Sequence, residues 1–269
     1  LSTDAEQLRK LIHGMRKAYS RNENIMSFAR EELNRKDNTS TAILIAYDLQ
    51  AGSYTSIASK NRDAIDRWCS QLASIISNLI SKELVKDKKY TLLEVGCGEA
   101  TTLAGVCSSL GSETVSDAFG FDLSWSRIHE GQKWLKDSKV EASLVVGDLL
   151  NIPLQDASID IVYSSHSLEP NRGQEMNAIS ECARVARHAV VLVEPIYELG
   201  SPKAQIRMDQ QGYVKDLKST AEKLGLEILE YKLLDFCHRA ENPSGVLILK
   251  KPGNDLLPKS LPWACPITH

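Results

Sequence analysis

The chain's 269 residues are 42% hydrophobic and 25% charged, and 32 basic against 35 acidic residues leave a net charge of −3. This balance excludes disordered, collagen-like and disulfide-scaffold proteins and disfavours a broadly basic nucleic-acid binder. Apolar runs such as 42–46 and 189–193 fall far short of the roughly 18 residues of a membrane span, so no membrane partner is expected. Six cysteines scattered without paired spacing read as reduced thiols of a cytoplasmic protein.

Leu8, Leu11, Ile12, Met15 and Tyr19 recur at helical spacing, as do Ile25, Met26, Phe28 and Ala29 after a polar break at 21–24, so residues 4–34 predict two helices. A polar linker at 34–41 leads into the apolar run 42–48, and 51–54 reads as a turn. A longer helix starts at Asn61 or Asp63, with Ile65, Trp68, Cys69, Leu72, Ile75, Ile76, Leu79 and Ile80 along one broad stripe. Residues 1–88 are thus expected to form a mostly helical cap.

From Tyr90 short apolar runs alternate with amphipathic segments, the pattern of strand-helix-strand units. Candidate strands are 91–95, 118–122, 142–146, 160–164, 189–194, 226–236 and 245–250, with helices at about 100–110, 124–137, 173–186 and 213–224. The last two strands lack a helix between them and should pair antiparallel. The expected order is five helix-separated parallel strands followed by a hairpin, an α/β sheet of seven strands with helices on both faces. The Pro-rich tail, 253–269, is expected to be irregular, the severed start of another module.

The first sheet strand runs into Gly96-Cys97-Gly98-Glu99-Ala100, with Glu94 two residues before the first glycine. Small residues between strand and helix let the backbone approach a ligand at the helix N-terminus, or merely make a structural turn. Thr101 stands where a dinucleotide fingerprint has its third glycine, which disfavours a nicotinamide dehydrogenase. Asp122 ends the second strand, 24 positions after Gly98, where its carboxylate could accept both ribose hydroxyl protons or cap the helix that starts near Ser124. Asp148 ends the third strand and suits the exocyclic amine of a purine. All three strand ends share the carboxyl edge, where such sheets place their ligands.

The segments Leu92-Leu93-Glu94-Val95-Gly96-Cys97-Gly98, Gly120-Phe121-Asp122-Leu123-Ser124, Gly147-Asp148-Leu149-Leu150-Asn151-Ile152-Pro153-Leu154 and Asp160-Ile161-Val162-Tyr163-Ser164-Ser165-His166-Ser167-Leu168-Glu169 resemble the successive motifs of class I S-adenosylmethionine-dependent methyltransferases. The resemblance spans about residues 89–252 and implies a Rossmann-like domain with S-adenosyl-L-methionine as cofactor. It would set Gly96, Cys97 and Gly98 under the methionyl part, Asp122 on the ribose with Leu123 beside it, Asp148 and the Leu149 backbone on adenine, and Ser165 and His166 beside the sulfonium. Glu94 belongs to the same expected set. Arg184-Val185-Ala186-Arg187-His188 replaces the family's usual Pro-Gly-Gly turn, a departure away from the cofactor site. Upstream, Ala46-Tyr47-Asp48-Leu49-Gln50-Ala51-Gly52-Ser53-Tyr54 is similar to a segment of the family's small-molecule branch. There Tyr47 or Tyr54 could close over the cofactor, or pack the cap against the sheet.

Methyl transfer needs alignment, water exclusion and, for a hydroxyl or amine acceptor, a proton acceptor. His166 is the first candidate base, with Tyr47 and Glu194 as further catalytic candidates. Glu169 is expected to orient His166 or to cap a helix after Asn171. Arg207 could clamp an acidic group of the acceptor or stand solvated. Cys237-His238 and Cys265 with His269 lack zinc spacing, so no metal site is expected. The leading expectation is methylation of O or N on a small molecule, a metabolite, sugar or modified amino acid. RNA or protein methylation and a non-catalytic cofactor-binding partner are the alternatives, and oligomeric state stays open.

Overall fold

The structure, a computed structural model, describes residues 3–85, 88–237 and 241–251. Helices α1 (Thr3–Ser20) and α2 (Ile25–Glu32) follow the apolar spacing, and Asn24 Oδ1 caps the second by accepting from Ser27 N at 3.0 Å. Residues 42–48 belong to α3 (Ser40–Leu49), whose start is fixed by Thr39 Oγ1 accepting from Ala42 N. Leu11, Met15, Ile25 and Ala29 pack with Ala42 and Ala46 into a small core of their own. The expected turn at 51–54 shrinks to Ala51-Gly52, because Gly52, at φ +87°, reverses the chain directly into α4 (Ser53–Lys60).

Helix α5 (Arg62–Glu83) buries the apolar stripe read from the sequence, Trp68, Leu72, Ile76 and Leu79, against the sheet. Then follow β1 (Tyr90–Val95), α6 (Thr101–Leu110), β2 (Val115–Asp122), α7 (Trp125–Ser138), β3 (Ser143–Val146), β4 (Ile159–Ser165), α8 (Glu175–Val185), β5 (Ala186–Pro195), α9 (Pro202–Gln211), α10 (Leu217–Lys223), β6 (Glu227–Leu233) and β7 (Ser244–Lys250). The sheet order is β3-β2-β1-β4-β5-β7-β6, parallel except for β7, which runs antiparallel between β5 and β6. This is the Rossmann-like α/β sheet with a C-terminal hairpin that the pattern predicts.

Alternate residues of β1, β4 and β5 serve two cores. Leu93, Val162 and Val190 face α8 and α10, whereas Leu92, Ile161 and Val191 face α5 and α6. Strands covered on both faces read as continuous apolar runs, which is why the pattern located them. Three details differ from expectation. No helix joins β3 to β4; residues 147–158 cross as irregular chain. An unexpected helix, α9, occupies 202–211, started by Ser201 Oγ accepting from Ala204 N, with Pro202 in its first turn. Strand β6 stops at Leu233 rather than 236. Residues 253–269 lie outside the described residues. Among the described residues no helix is long and apolar enough to cross a membrane.

Candidate cofactor and active site

The strand order reverses between β1 and β4, and the chain ends there open into a cavity at the carboxyl edge. Gly96 and Gly98 adopt φ +62° and +54°, a region an L side chain enters only with strain. A Cβ on Gly96 would also stand 2.4 Å from the Ser167 Cβ, so both conformation and space require glycine there. Asp122 Oδ2 accepts from Gly98 N and Oδ1 from Ser124 N, each at 2.9 Å. The cap of α7 is Ser124, whose Oγ accepts from Arg127 N, so Asp122 is spared for the cavity. Burial pushes the Asp122 carboxyl above its usual range while the two N–H donors pull it back. Asp148 Oδ1 accepts from Leu150 N at 2.9 Å, which fixes the turn after β3. Glu94, 2% exposed, accepts from the Tyr163 hydroxyl at 3.2 Å, and burial drives its carboxyl well above the ordinary value.

All ten residues expected to touch the cofactor line this one cavity: Glu94, Gly96, Cys97 and Gly98 from β1 and its loop, Asp122 and Leu123 after β2, Asp148 and Leu149 after β3, Ser165 at the end of β4, and Tyr54 from α4. The catalytic candidates His166 and Tyr47 line it as well. A backbone cradle that a Cβ would fill, next to a half-buried carboxylate at the end of β2, fits the nucleoside and amino-acid parts of S-adenosylmethionine.

Helices α3 and α4 roof the cavity with Tyr47 and Tyr54, and three contacts hold them down. Glu99, 1% exposed, accepts from Gly52 N (3.0 Å) and Thr55 N (2.7 Å) at the N-terminus of α4. Asp48 accepts from Ser124 Oγ at 2.7 Å. Arg127 Nε donates to the Tyr47 carbonyl at 3.0 Å, its guanidinium 4.8 and 4.5 Å from the Tyr47 and Tyr54 ring centres. Sequence reasoning missed Glu99 and Arg127, although each lies within five residues of an expected cofactor residue.

His166 closes β4 at φ +58°. Its Nε2 lies 2.7 Å from Ser244 Oγ, its Nδ1 3.4 Å from Glu169 Oε2, and the Trp68 ring meets it edge-on at 5.6 Å. Burial works against the imidazolium, but the Glu169 and Glu194 carboxylates together outweigh it and raise the His166 pKa above its usual value. Glu169 thus faces His166 at ion-pair distance; it caps no helix, since α8 begins only at Glu175 behind Gln174. Glu194 is off the cavity. It is fully buried, and its carboxylate accepts from the backbone N–H groups of Ser167 (3.0 Å), Leu168 (3.1 Å) and Glu169 (3.2 Å), holding the loop after β4. Its strand-end position suggested catalysis, but the loop folds back over it and takes its oxygens. Arg207 is also off the cavity, donating to Asn242 Oδ1 at 3.0 Å beside the Tyr213 ring. Among the described residues no group of three His, Cys, Asp or Glu could hold a metal ion. His238, Cys265 and His269 lie outside the described residues.

Residues 92–189 match a family described as a methyltransferase domain. No curated protein matches the chain in sequence. Among solved structures, magnesium protoporphyrin IX methyltransferase from Synechocystis PCC 6803 with bound SAH has a TM-score of 0.57 at 13% identity, covering 77% of this chain and 98% of that one. A Haloferax volcanii protein in complex with the Trm112 methyltransferase activator has a TM-score of 0.56 at 16% identity over 77% and 98% of the two chains. The [4+2]-cyclase SpnF has a TM-score of 0.53 at 16% identity over 69% and 81%. At these identities the structural likenesses show the fold, and the family match covers the glycine loop, Asp122, Asp148 and the end of β4. On those grounds residues 92–189 carry a methyltransferase domain, set in a fold of the class I S-adenosylmethionine-dependent methyltransferase type.

Proposed function

We propose that this enzyme methylates O or N of a small-molecule acceptor, a metabolite, sugar or modified amino acid, in the cytoplasm. The observation that carries the reading is the roof: Tyr47 and Tyr54 lie over the cofactor edge on helices fastened by Glu99, Asp48 and Arg127. A covered site favours an acceptor small enough to be enclosed. In this reading residues 1–88 act as cap and 89–252 as the cofactor-binding domain. The fold relatives do not decide the acceptor, since one is named for a porphyrin and another for a cyclisation.

S-adenosylmethionine, when bound, supplies a methyl carbon already activated by its sulfonium, so the protein's part is alignment and proton handling. The backbone of Gly96, Cys97 and Gly98 carries the methionyl part, Asp122 takes the ribose hydroxyls, and Asp148 takes the adenine amine between Leu123 and Leu149. Ser165, His166 and Tyr47 surround the space for the acceptor, and the neutral imidazole of His166, its Nδ1–H toward Glu169, takes the acceptor's proton at Nε2 in place of the Ser244 hydroxyl that lies there in this structure.

The test is incubation with methyl-labelled S-adenosylmethionine and three separated lysate fractions: small molecules, RNA and protein. Label is expected in the small-molecule fraction. Enzyme-dependent label confined to RNA or protein would overturn the reading.

A further inference from the structure

We propose that Arg127 joins the roof to the amino-acid end of the cofactor, holding α3 with one arm and taking the methionyl carboxylate with the other. The proposal rests on the cofactor reading above. Arg127 is 3% exposed, sits in the first turn of α7 and lines the cavity. Its Nε is spent on the Tyr47 carbonyl, and its Nη1 lies 3.3 Å from where a Gly98 Cβ would be, directly over the glycine loop. Its Nη2 is shielded from solvent and has no hydrogen-bond partner among the described residues.

Among the described residues no neighbouring carboxylate hydrogen-bonds the guanidinium, although the Asp122 charge lies close enough to favour it. Glu99 gives its oxygens to Gly52 N and Thr55 N, Asp122 to Gly98 N and Ser124 N, and Asp48 to Ser124 Oγ. The Tyr47 and Tyr54 rings that face the guanidinium carry hydroxyls whose ionisation burial pushes above its usual range, so they supply no anion. A cation enclosed this way is costly until an anion completes its fork. The ligand's one anionic group is its carboxylate, whose planar pair of oxygens matches a guanidinium. Closing the roof encloses Arg127, so a ligand that brings the carboxylate favours the closed form and one that lacks it does not.

Two ligands separate the ends of the cofactor. S-adenosylhomocysteine has the carboxylate; 5′-methylthioadenosine keeps the nucleoside and sulfur but has no amino-acid part. By calorimetry on the full chain, Arg127→Met is expected to weaken S-adenosylhomocysteine about 10- to 100-fold and methylthioadenosine far less, and retained methylthioadenosine binding shows that the variant is folded. Trypsin cleavage after Lys60 should be slowed by S-adenosylhomocysteine but not by methylthioadenosine in the wild type. Arg127→Lys, which keeps the charge but loses the planar fork and the Nε contact to Tyr47, should weaken S-adenosylhomocysteine less than Arg127→Met does and should lose the protection. Equal losses for both ligands in Arg127→Met, or equal protection by both in the wild type, would overturn the proposal. A wild type that binds neither ligand would overturn the cofactor reading beneath it.

Discussion

Replacing Glu194 by Gln tests whether this carboxylate is a structural anchor or a catalytic group. Its pKa is raised from 4.5 to about 7, chiefly by burial, despite three backbone N–H donors that favour the anion. A carboxyl that binds its proton more tightly folded than unfolded contributes stability in acid. That contribution is fully present below about pH 4.5 and is lost as the pH rises through about 7. The shift corresponds to on the order of 3 kcal/mol. Gln is neutral throughout, so it removes this pH dependence, while its amide nitrogen turns a donor toward at least one backbone N–H. That mismatch costs about 1–3 kcal/mol at every pH. Urea unfolding should therefore find Glu194→Gln less stable than wild type near pH 5, with the gap closing or reversing near pH 8. Parallel stability profiles over that range would refute the burial argument. Loss of about 10²–10⁴-fold in turnover with unchanged stability would return Glu194 to the catalytic group.

Asp122→Ala should weaken S-adenosylhomocysteine binding by about 1.5–3 kcal/mol, measured by calorimetry, and NAD should show no saturable binding; unchanged affinity would remove Asp122 from the site. His166→Ala should lower turnover about 10²–10⁴-fold with cofactor affinity intact. Because Glu169 raises the His166 pKa against the effect of burial, the acid limb of the rate profile should rise to its plateau above pH 6.5 and should move to lower pH in Glu169→Gln. An unmoved limb would exclude the pair. Glu99→Ala deprives the start of α4 of two acceptors, so trypsin should cut after Lys60 faster than in wild type, while unaltered cleavage would mean that Glu99 does not fasten the roof.

What the sequence made legible follows from how the residues are buried. β1, β4 and β5 are covered on both faces, so Leu92-Leu93, Ile161-Val162 and Val190-Val191 stand out as apolar runs whatever their neighbours do. Apart from Tyr54 on α4, the cofactor candidates were legible because each lies at or beside the end of a strand on the same edge, where topology gathers them. Helix α9 was hidden because it buries only Ala204 and Met208, though Ser201 and Pro202 carried its start signal. The roof contacts were hidden for another reason. Glu99 meets residues 44 and 47 positions away, and Arg127 meets one 80 positions away, pairings that no local pattern encodes.

The end of β4 shows how a carboxylate off the cavity bears on the loop that lines it. His166 N donates to the Val193 carbonyl at 2.9 Å, continuing the ladder to β5, yet the residue sits at φ +58° because the chain must leave the sheet there. A non-glycine residue in that region carries strain on the order of 1–2 kcal/mol. The next three amides converge on Glu194, and their bonds to it offset that strain and fix the turn. The same turn brings Glu169 back to the imidazole it faces. Glu194 thus holds the loop that carries both members of the His166–Glu169 pair, without lining the cavity. The strand-end position that made it look catalytic is the position from which it can hold that loop.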